Sequence, residues 1–157
     1  MQRKVDFLQV SGENFLSFKT FNHEFRRNKN LVVGYNLTDP TCISNGSGKS
    51  SFIEAIVWCI YKKFNHDEIS FDGKGDTKVS LLFKISESLY RIDRYYKHKE
   101  HGSQVFLYKD DVAVMMRKNK STDDQILDLI GMSYSVFIMT YLLNQEHYHQ
   151  SLGFLRK

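Results

Sequence analysis

The stretch that decides the fold is Asn45-Gly46-Ser47-Gly48-Lys49-Ser50-Ser51, which is followed by an apolar run from Phe52 to Tyr61. Glycine adopts backbone conformations in which successive N–H groups turn toward one point, and a helix that begins near Lys49 directs the positive end of its dipole there. N–H groups arranged in this way bind phosphate. The pattern therefore predicts a phosphate-binding loop that leads into a buried helix, and a triphosphate is the expected ligand.

Two side chains of this loop have defined tasks in that geometry. Lys49 is expected to reach the β- and γ-phosphates of ATP, and the hydroxyl of Ser50 is expected to bind Mg²⁺. Upstream, the run Leu31 to Val33 ends at Gly34, as expected of a buried strand that leads into the loop. The expected nucleotide-binding residues are Gly34, Asn36, Asn45, Gly46, Ser47, Gly48, Lys49, Ser50 and Ser51.

The loop is interrupted relative to the usual pattern G-x-x-x-x-G-K-[ST]. A glycine is expected six residues before Lys49, but that position holds Ile43, and Gly34 lies nine residues further upstream. We interpret Gly34 to Asn36 as the entry to the loop and residues 37–45 as an accessory insertion, because a longer surface loop costs little closure entropy. The alternative is a Gly-Ser loop that precedes a helix by coincidence.

Length and composition are those of one globular domain. The chain has 157 residues, of which 41% are hydrophobic and 14% aromatic, enough to bury a core. No stretch approaches the roughly 18 to 20 apolar residues of a membrane span, and the N-terminus lacks the apolar segment of a signal peptide. We therefore expect a cytoplasmic protein without membrane contact. Cys42 and Cys59 have no metal-ligand spacing and are too few for a disulfide framework, so both are expected to be reduced.

The net charge of +4 favours polyanionic partners only weakly, and the distribution of the basic residues matters more. Basic residues gather at 26–29, 91–99 and 117–120. In the second group, basic and aromatic side chains are mixed as on surfaces that bind nucleic acid, which makes Arg91, Arg94 and Lys97 candidate DNA contacts. Alternate residues of a strand face opposite ways, so some of this group must pack inward.

Alternation of apolar residues and turn signals predict the secondary structure. The expected strands span residues 4–10, 16–25, 78–85, 89–96 and 104–108. The first two are expected to form a hairpin-like pair, and the last three an antiparallel meander. The helix after the phosphate loop is expected over residues 50–64. Ser121 and Asp124 predict the start of a second helix that Gly131 ends, and Ser133 begins a third that runs to Leu143. The expected class is α/β with a central helix.

A P-loop ATPase also needs an acidic residue after an apolar strand, to hold Mg²⁺ through water, and a carboxylate that orients the attacking water. The nearest candidate is the run Val105 to Asp111, where a lysine interrupts the apolar residues and two aspartates begin a turn. An ordinary strand and turn is the favoured interpretation. The pairs His98/His101 and His147/His149 lie in polar stretches without a cysteine partner, which favours solvated histidines over a metal site.

Several segments of the chain are shared with one family. They are Asn14 to Phe18, Leu31 to Asn36, Asn45 to Ile56, Tyr90 to Arg94 and Ile130 to Phe137. Together they resemble the N-terminal head segment of SbcC-like DNA double-strand-break repair ATPases, within the wider SMC and ABC-type group, and look especially like the large subunit of phage recombination endonucleases. The resemblance covers nearly the whole chain and implies the fold of a P-loop NTPase, as the N-terminal lobe of an ABC-type head.

The resemblance also implies functional parts and partners. In this family a glutamine of the Q-loop contacts Mg²⁺ and the γ-phosphate, and by register that residue is Gln145. The signature motif, the Walker B residue and the catalytic glutamate belong to a C-terminal segment beyond a long coiled coil, so residues 1–157 would form the ATP-binding lobe alone, as a fragment or a split subunit. The implied partners are a C-terminal ATPase lobe in the same or another polypeptide, an SbcD-like nuclease subunit and double-stranded DNA, with head-to-head dimerisation on ATP binding. For a phage protein the location would be the host cytoplasm.

Two other functions stay open on the residues. A self-contained small P-loop kinase would need its own acidic Mg²⁺ ligand and a lid rich in arginines. A non-catalytic nucleic-acid-binding or assembly module would keep only a degenerate phosphate loop. Because the parts needed for hydrolysis are missing, an ATPase lobe of this kind is expected to hydrolyse ATP negligibly by itself.

Overall fold

The computed structural model describes residues 4–26, 48–64, 66–115 and 119–141, with only the backbone described at Lys49, Ser50, Thr140 and Tyr141. The strands in these ranges are β1 (Val5–Phe15), β2 (Phe18–Glu24), β3 (Thr77–Ile85), β4 (Ser88–Tyr96), β5 (Val105–Lys109) and β6 (Val112–Ala113). The helices are α1 (Lys49–Tyr61), α2 (Thr122–Ile130) and α3 (Tyr134–Tyr141).

All these strands belong to one antiparallel sheet with the order β2-β1-β3-β4-β5-β6. The predicted hairpin and the predicted meander are both confirmed, and the structure adds that β1 pairs with β3 and so joins them. The strand expected over residues 31–33 lies outside the described residues.

Alternation along β3 shows how the sheet separates its two faces. Every second residue from Thr77 to Ile85 is buried, and the residues between them are half-exposed. The buried side chains Val79, Leu81 and Phe83 form the core together with α1. The other face of the sheet has polar and charged side chains and faces solvent.

Helix α1 is the centre of the core, as predicted. The consecutive residues Ala55, Ile56, Val57, Trp58, Cys59 and Ile60 are all buried. A helix buried on most of its faces needs partners on opposite sides. The sheet supplies one, with the ring of Phe15 centred 5.6 Å from that of Trp58. The α2–α3 segment supplies the other, where the Tyr61 hydroxyl donates to the carbonyl oxygen of Met132 at 3.0 Å.

The helix ends follow the predicted capping residues. Ser121 and Asp124 form a reciprocal capping box at the start of α2, and Gly131 ends that helix with φ of 68°. Helix α1 ends earlier than predicted, because Lys62 adopts the left-handed conformation at φ of 57° and its N–H donates to the carbonyl oxygen of Trp58. The predicted continuation to Phe64 was therefore wrong.

Strand β1 is longer than predicted. The prediction ended it at Val10, but the strand continues to Phe15. A Cβ atom at Gly12 would lie 2.4 Å from Cε1 of Phe21 on β2, so the glycine makes room for an aromatic ring that packs across the hairpin. Glycine here marks a close approach within a strand and not a turn.

Candidate functional site

The described part of the phosphate loop is its exit, Gly48, and the first turn of α1. Gly48 is the N-cap residue with φ of 84°, and the Phe52 N–H donates to its carbonyl oxygen at 3.1 Å. The first turn of α1 contains no acidic residue, and no side chain caps it. A helix start without a carboxylate or side-chain cap favours a negatively charged ligand, since it presents backbone N–H groups and the positive end of the dipole.

Two independent features require glycine at position 48. Its φ of 84° is a conformation that side chains with a Cβ atom rarely adopt. A Cβ atom there would also lie 2.9 Å from Cζ of Phe18 and 3.3 Å from Cβ of Ser17. The turn between β1 and β2 therefore packs directly against the exit of the phosphate loop.

A hydrogen bond fixes the same turn to α1. The Oγ atoms of Ser17 and Ser51 lie 2.8 Å apart, and Ser51 is buried. Ser51 was predicted to contact nucleotide, and in this structure its hydroxyl contacts the β1–β2 turn. Sequence reasoning did not identify Ser17 as part of the site, although it lies within the motif Asn14 to Phe18 on which the family resemblance partly rests.

The other residues predicted to bind nucleotide fall into two groups, those that the structure describes and those that lie outside the described ranges. Lys49 and Ser50 are the first two residues of α1, directly after Gly48, which is where the phosphate-loop pattern requires them. Outside the described residues lie Gly34, Asn36, Asn45, Gly46, Ser47 and Gln145. Their roles, and that of the insertion, stay predictions.

Of the three candidate DNA contacts, Arg94 is buried and engaged within the protein. Its residue exposure is 3%, its Nε donates to the carbonyl oxygen of Cys59 at 3.0 Å, and its Nη2 lies 2.6 Å from Oδ1 of Asp123. Alternation along β4 explains this position, because Arg94 faces the same side as the core residue Ile92. The prediction of a DNA contact at Arg94 is therefore corrected.

Arg91 and Lys97 lie where a ligand can reach them. Arg91 is partly exposed, and its guanidinium stacks over the Tyr108 ring at 4.3 Å from the ring centroid. It also bonds to Asp93 and Asp111, each at 3.3 Å. Lys97 is exposed at the end of β4.

Arg91 borders a hollow of about 580 Å³ on the solvent face of the sheet. Its charged lining residues are Lys78, Arg91, Asp93 and Asp111. Two cationic and two anionic side chains balance, so the hollow itself offers no surplus positive charge to a DNA backbone. Lys97 is not among the residues that line this hollow.

The structure shows the surroundings of two weaker candidates from the sequence, the Walker B run from Val105 to Asp111 and the histidines at 98 and 101. Val105 to Lys109 is strand β5, and Asp110 follows in a turn where its Oδ1 accepts from the Leu89 N–H at 2.9 Å. The ordinary strand-and-turn interpretation is confirmed. His98 and His101 stack on each other with ring centroids 5.2 Å apart, and no group of three metal-binding side chains occurs in the part of the chain that the structure describes. The second pair, His147 and His149, lies outside the described residues.

Among the described ranges, none of the helices has the length and apolar character needed to span a membrane.

Comparison with known proteins gives a consistent result. Residues 9–152 match the model of a family described as "AAA domain". The DNA double-strand break repair Rad50 ATPase of Sulfolobus acidocaldarius is 25% identical over 142 residues, which covers 87% of this chain and 15% of that protein. The probable DNA double-strand break repair Rad50 ATPase of Aquifex aeolicus is 28% identical over 114 residues, covering 68% of this chain and 12% of that protein. This chain thus spans about a seventh of the length of these curated relatives.

Similarity among solved structures concerns the fold. A structure of the recombination mediator protein RecF with ATP, from the RecFOR pathway, superimposes with a TM-score of 0.50 at 16% sequence identity. The match covers 80% of this chain and 31% of that chain. The fold is accordingly that of a P-loop NTPase of the α/β class, and the resemblance to SbcC-like ATPases is confirmed at the level of the family. The chain belongs to the AAA domain family.

Proposed function

We propose that this chain is the ATP-binding lobe of a DNA-repair ATPase that needs further protein parts to complete its reaction. The observation on which the proposal rests is the start of α1. There a left-handed glycine, the lysine and serine of the phosphate-loop pattern, and a helix N-terminus without acidic residues follow one another. This arrangement is typical of a site for the phosphates of a nucleotide.

The residues of the loop would share the binding of ATP and Mg²⁺. Backbone N–H groups around Gly48 and the α1 dipole would attract the phosphate oxygens, and Lys49 would add a positive charge at the β- and γ-phosphates. Ser50 would provide a hydroxyl ligand for the metal, and Gln145 a second contact. A bound Mg²⁺ ion would neutralise charge on the transferred phosphoryl group.

The same proposal explains which parts the chain lacks. Asp110 and Asp111, which belong to the nearest candidate for a Walker B motif in the sequence, lie in the turn after β5 and bond to Leu89 and Arg91. The water-orienting carboxylate and the signature motif would therefore come from a C-terminal ATPase lobe, in the same or another polypeptide. Head-to-head pairing on ATP binding would complete the site.

The names of the relatives support a role in double-strand break repair. Both curated relatives are named as DNA double-strand break repair Rad50 ATPases. We infer that the assembled protein couples ATP binding and hydrolysis to the binding and processing of double-stranded DNA ends, together with an SbcD-like nuclease subunit. Arg91 and Lys97 are the described residues proposed for the DNA contact.

Steady-state hydrolysis by the purified 157-residue chain tests the incomplete-site proposal. We expect turnover far below the roughly 1 to 10³ s⁻¹ of ordinary enzymes. Adding the C-terminal lobe should restore turnover, and Gln145→Ala should bind ATP nearly normally while failing to support ATP-dependent DNA binding in the restored complex. Turnover near 1 s⁻¹ by the chain alone would contradict the proposal and favour a self-contained kinase or ATPase.

A further inference from the structure

The β1–β2 turn packs against the phosphate loop, and its unusual backbone begins within the last two residues of β1. Asn14 has φ of 51° and Leu16 has φ of 44°. Asparagine tolerates the left-handed region, but the branched side chain of leucine is disfavoured there. A turn of this kind keeps its shape only where contacts from elsewhere in the protein determine it.

The side chain of Asn14 supplies such contacts. Its Nδ2 donates to Oδ1 of Asp72 at 2.9 Å and to the carbonyl oxygen of Gly75, while its Oδ1 accepts from the Asp72 N–H at 3.2 Å. We call these three hydrogen bonds the Asn14 clamp. They join the β1–β2 turn to a loop about sixty residues further along the chain.

The backbone of the turn is held by the same loop. The carbonyl oxygen of Asn14 accepts from the Phe71 N–H at 3.1 Å and from the Thr77 hydroxyl at 2.8 Å. The Leu16 N–H donates to the carbonyl oxygen of Ile69 at 2.8 Å. The hydrogen bond from Asn14 also lowers the pKa of Asp72 below its ordinary value. At neutral pH the Asn14 side chain therefore donates to a charged carboxylate.

The other end of the turn reaches the nucleotide site. Ser17, three residues after Asn14, places its Oγ 2.8 Å from the Oγ of Ser51 in the first turn of α1. The next residue, Phe18, places its ring against Gly48, where even one added methyl group would meet it at 2.9 Å. Any change in the shape of the turn would therefore move groups that touch the phosphate-loop exit.

We propose that Asn14 is a positioning residue for the nucleotide site, which sets the β1–β2 turn so that Ser17 and Phe18 hold Gly48 and the first turn of α1 in place. The proposal rests on the proposed function, in which the ligand of that site is ATP. Asn14 itself is not assigned a contact with the nucleotide.

The test compares Asn14→Gly with a matched control, Asp110→Gly. Both residues have a left-handed backbone, with φ of 51° and 50°. Each also makes a side-chain hydrogen bond to a residue distant in sequence, Asn14 to Asp72 and Asp110 to the Leu89 N–H. Glycine accepts this backbone in each case, so each substitution removes the side-chain hydrogen bonds without new strain. Mg·ATP affinity is measured by calorimetry at a temperature where all variants are fully folded, and hydrogen exchange is measured without nucleotide at the Phe52 N–H, which donates to the Gly48 carbonyl oxygen.

We expect Asn14→Gly to weaken ATP binding and to speed exchange at the first turn of α1 by about tenfold each. A tenfold change equals about 1.4 kcal/mol, which lies within the range for the net loss of an intramolecular hydrogen bond. Asp110→Gly should stay within about twofold of the parent in both measurements. The hydrogen bond that it removes, to the Leu89 N–H, contributes to the overall stability of the fold but does not hold the first turn of α1.

A restoration experiment adds a second line of evidence. Asn14→Asp places two carboxylates against each other and should weaken ATP binding at least as much as Asn14→Gly. Combining it with Asp72→Asn restores the donor–acceptor pair between positions 14 and 72 with reversed roles, but not the hydrogen bond to the Gly75 carbonyl oxygen, and should recover part of the affinity. A double variant that binds no better than Asn14→Asp would contradict the proposal.

Two outcomes separate this inference from the proposed function. A wild-type exchange rate at the Phe52 N–H in Asn14→Gly would overturn the positioning role, whether or not ATP binds. Faster exchange in Asn14→Gly, together with a parent protein that binds no ATP, would support the positioning role and overturn only the identity of the ligand.

Discussion

The guanidinium of Arg94 lies between two helices and a strand, with Nη2 2.6 Å from Oδ1 of Asp123 and Nε 3.0 Å from the carbonyl oxygen of Cys59. One side chain of β4 is thereby connected to the middle of α1 and to the first turn of α2. A charge buried in this way is tolerated only with its partners in place. The contact explains how a basic residue stays in the core.

Arg94→Ala should destabilise the fold strongly. Breaking a buried ion pair costs about 3 to 5 kcal/mol, and we expect the lower end, about 3 kcal/mol, because the Asp123 side chain is 37% exposed. Lys84→Ala is the control, since its exposed ion pair with Glu87 should contribute less than about 1 kcal/mol. Urea unfolding of both variants measures the difference, and equal losses would show that Arg94 is not a structural residue.

Gly48→Ala should weaken nucleotide binding. A residue with a Cβ atom at φ of 84° is strained by about 1 to 3 kcal/mol, which corresponds to a loss of about 5- to 150-fold in affinity if the site bears the whole cost. Gly73→Ala is the matched control, because Gly73 also has a positive φ, of 69°, but an added Cβ meets nothing within 4 Å. If Gly48→Ala and Gly73→Ala lowered the ATP affinity equally, the role of Gly48 in nucleotide binding would be contradicted.

Acidification should destabilise the loop around the Asn14 clamp. The pKa of Asp72 is lowered chiefly by the hydrogen bond from Asn14, that of Glu68 by the Ser70 N–H, and that of Asp76 by Lys99. Because these pKa values are lower in the folded state than in the unfolded chain, the carboxylates stabilise the fold at neutral pH, and this contribution is lost as the pH falls through the folded-state values. Thermal unfolding between about pH 6 and about pH 3 measures it.

The control for the acid effect is Asp72→Asn, which removes one of the titrating groups. Its melting temperature should fall less steeply with decreasing pH than that of the parent. A slope identical to that of the parent would show that Asp72 does not contribute to the acid dependence.

The thiol of Cys59 should be unreactive in the folded protein. Cys59 is fully buried, and desolvation raises its pKa to about 12, so almost no thiolate forms near neutral pH. Cys42→Ser leaves Cys59 as the only cysteine. This variant should fail to react with a disulfide reagent at about pH 8 until urea unfolds it, and rapid reaction of the folded protein would contradict the buried position.

Local patterns were sufficient to predict the helix that follows the phosphate loop, the meander and the capping residues of α2. They were sufficient because each depends on residues within a few positions, such as Ser121 with Asp124. Alternation also indicated that part of the 91–97 segment faces inward, but which guanidinium was buried depended on Asp123, 29 residues away.

The parts of the site that could not be predicted all depend on distant contacts. In the sequence, Asn14 and Ser17 stood out only as members of the motif Asn14 to Phe18, and their roles depend on Asp72 and Ser51, which only the folded sheet brings near them. The length of β1 was underestimated for the same reason, because the ring that packs against Gly12 belongs to the neighbouring strand.

The central claim is that the chain binds Mg·ATP through the loop that ends at Lys49, and a calorimetric titration of the parent and of Lys49→Ala tests it most directly. Lys49 is the one side-chain cation that the phosphate-loop pattern directs to the β- and γ-phosphates. The account predicts saturable binding by the parent at one site and no detectable binding by a folded Lys49→Ala variant. Unchanged affinity in a folded Lys49→Ala variant, or no binding by the parent, would contradict it.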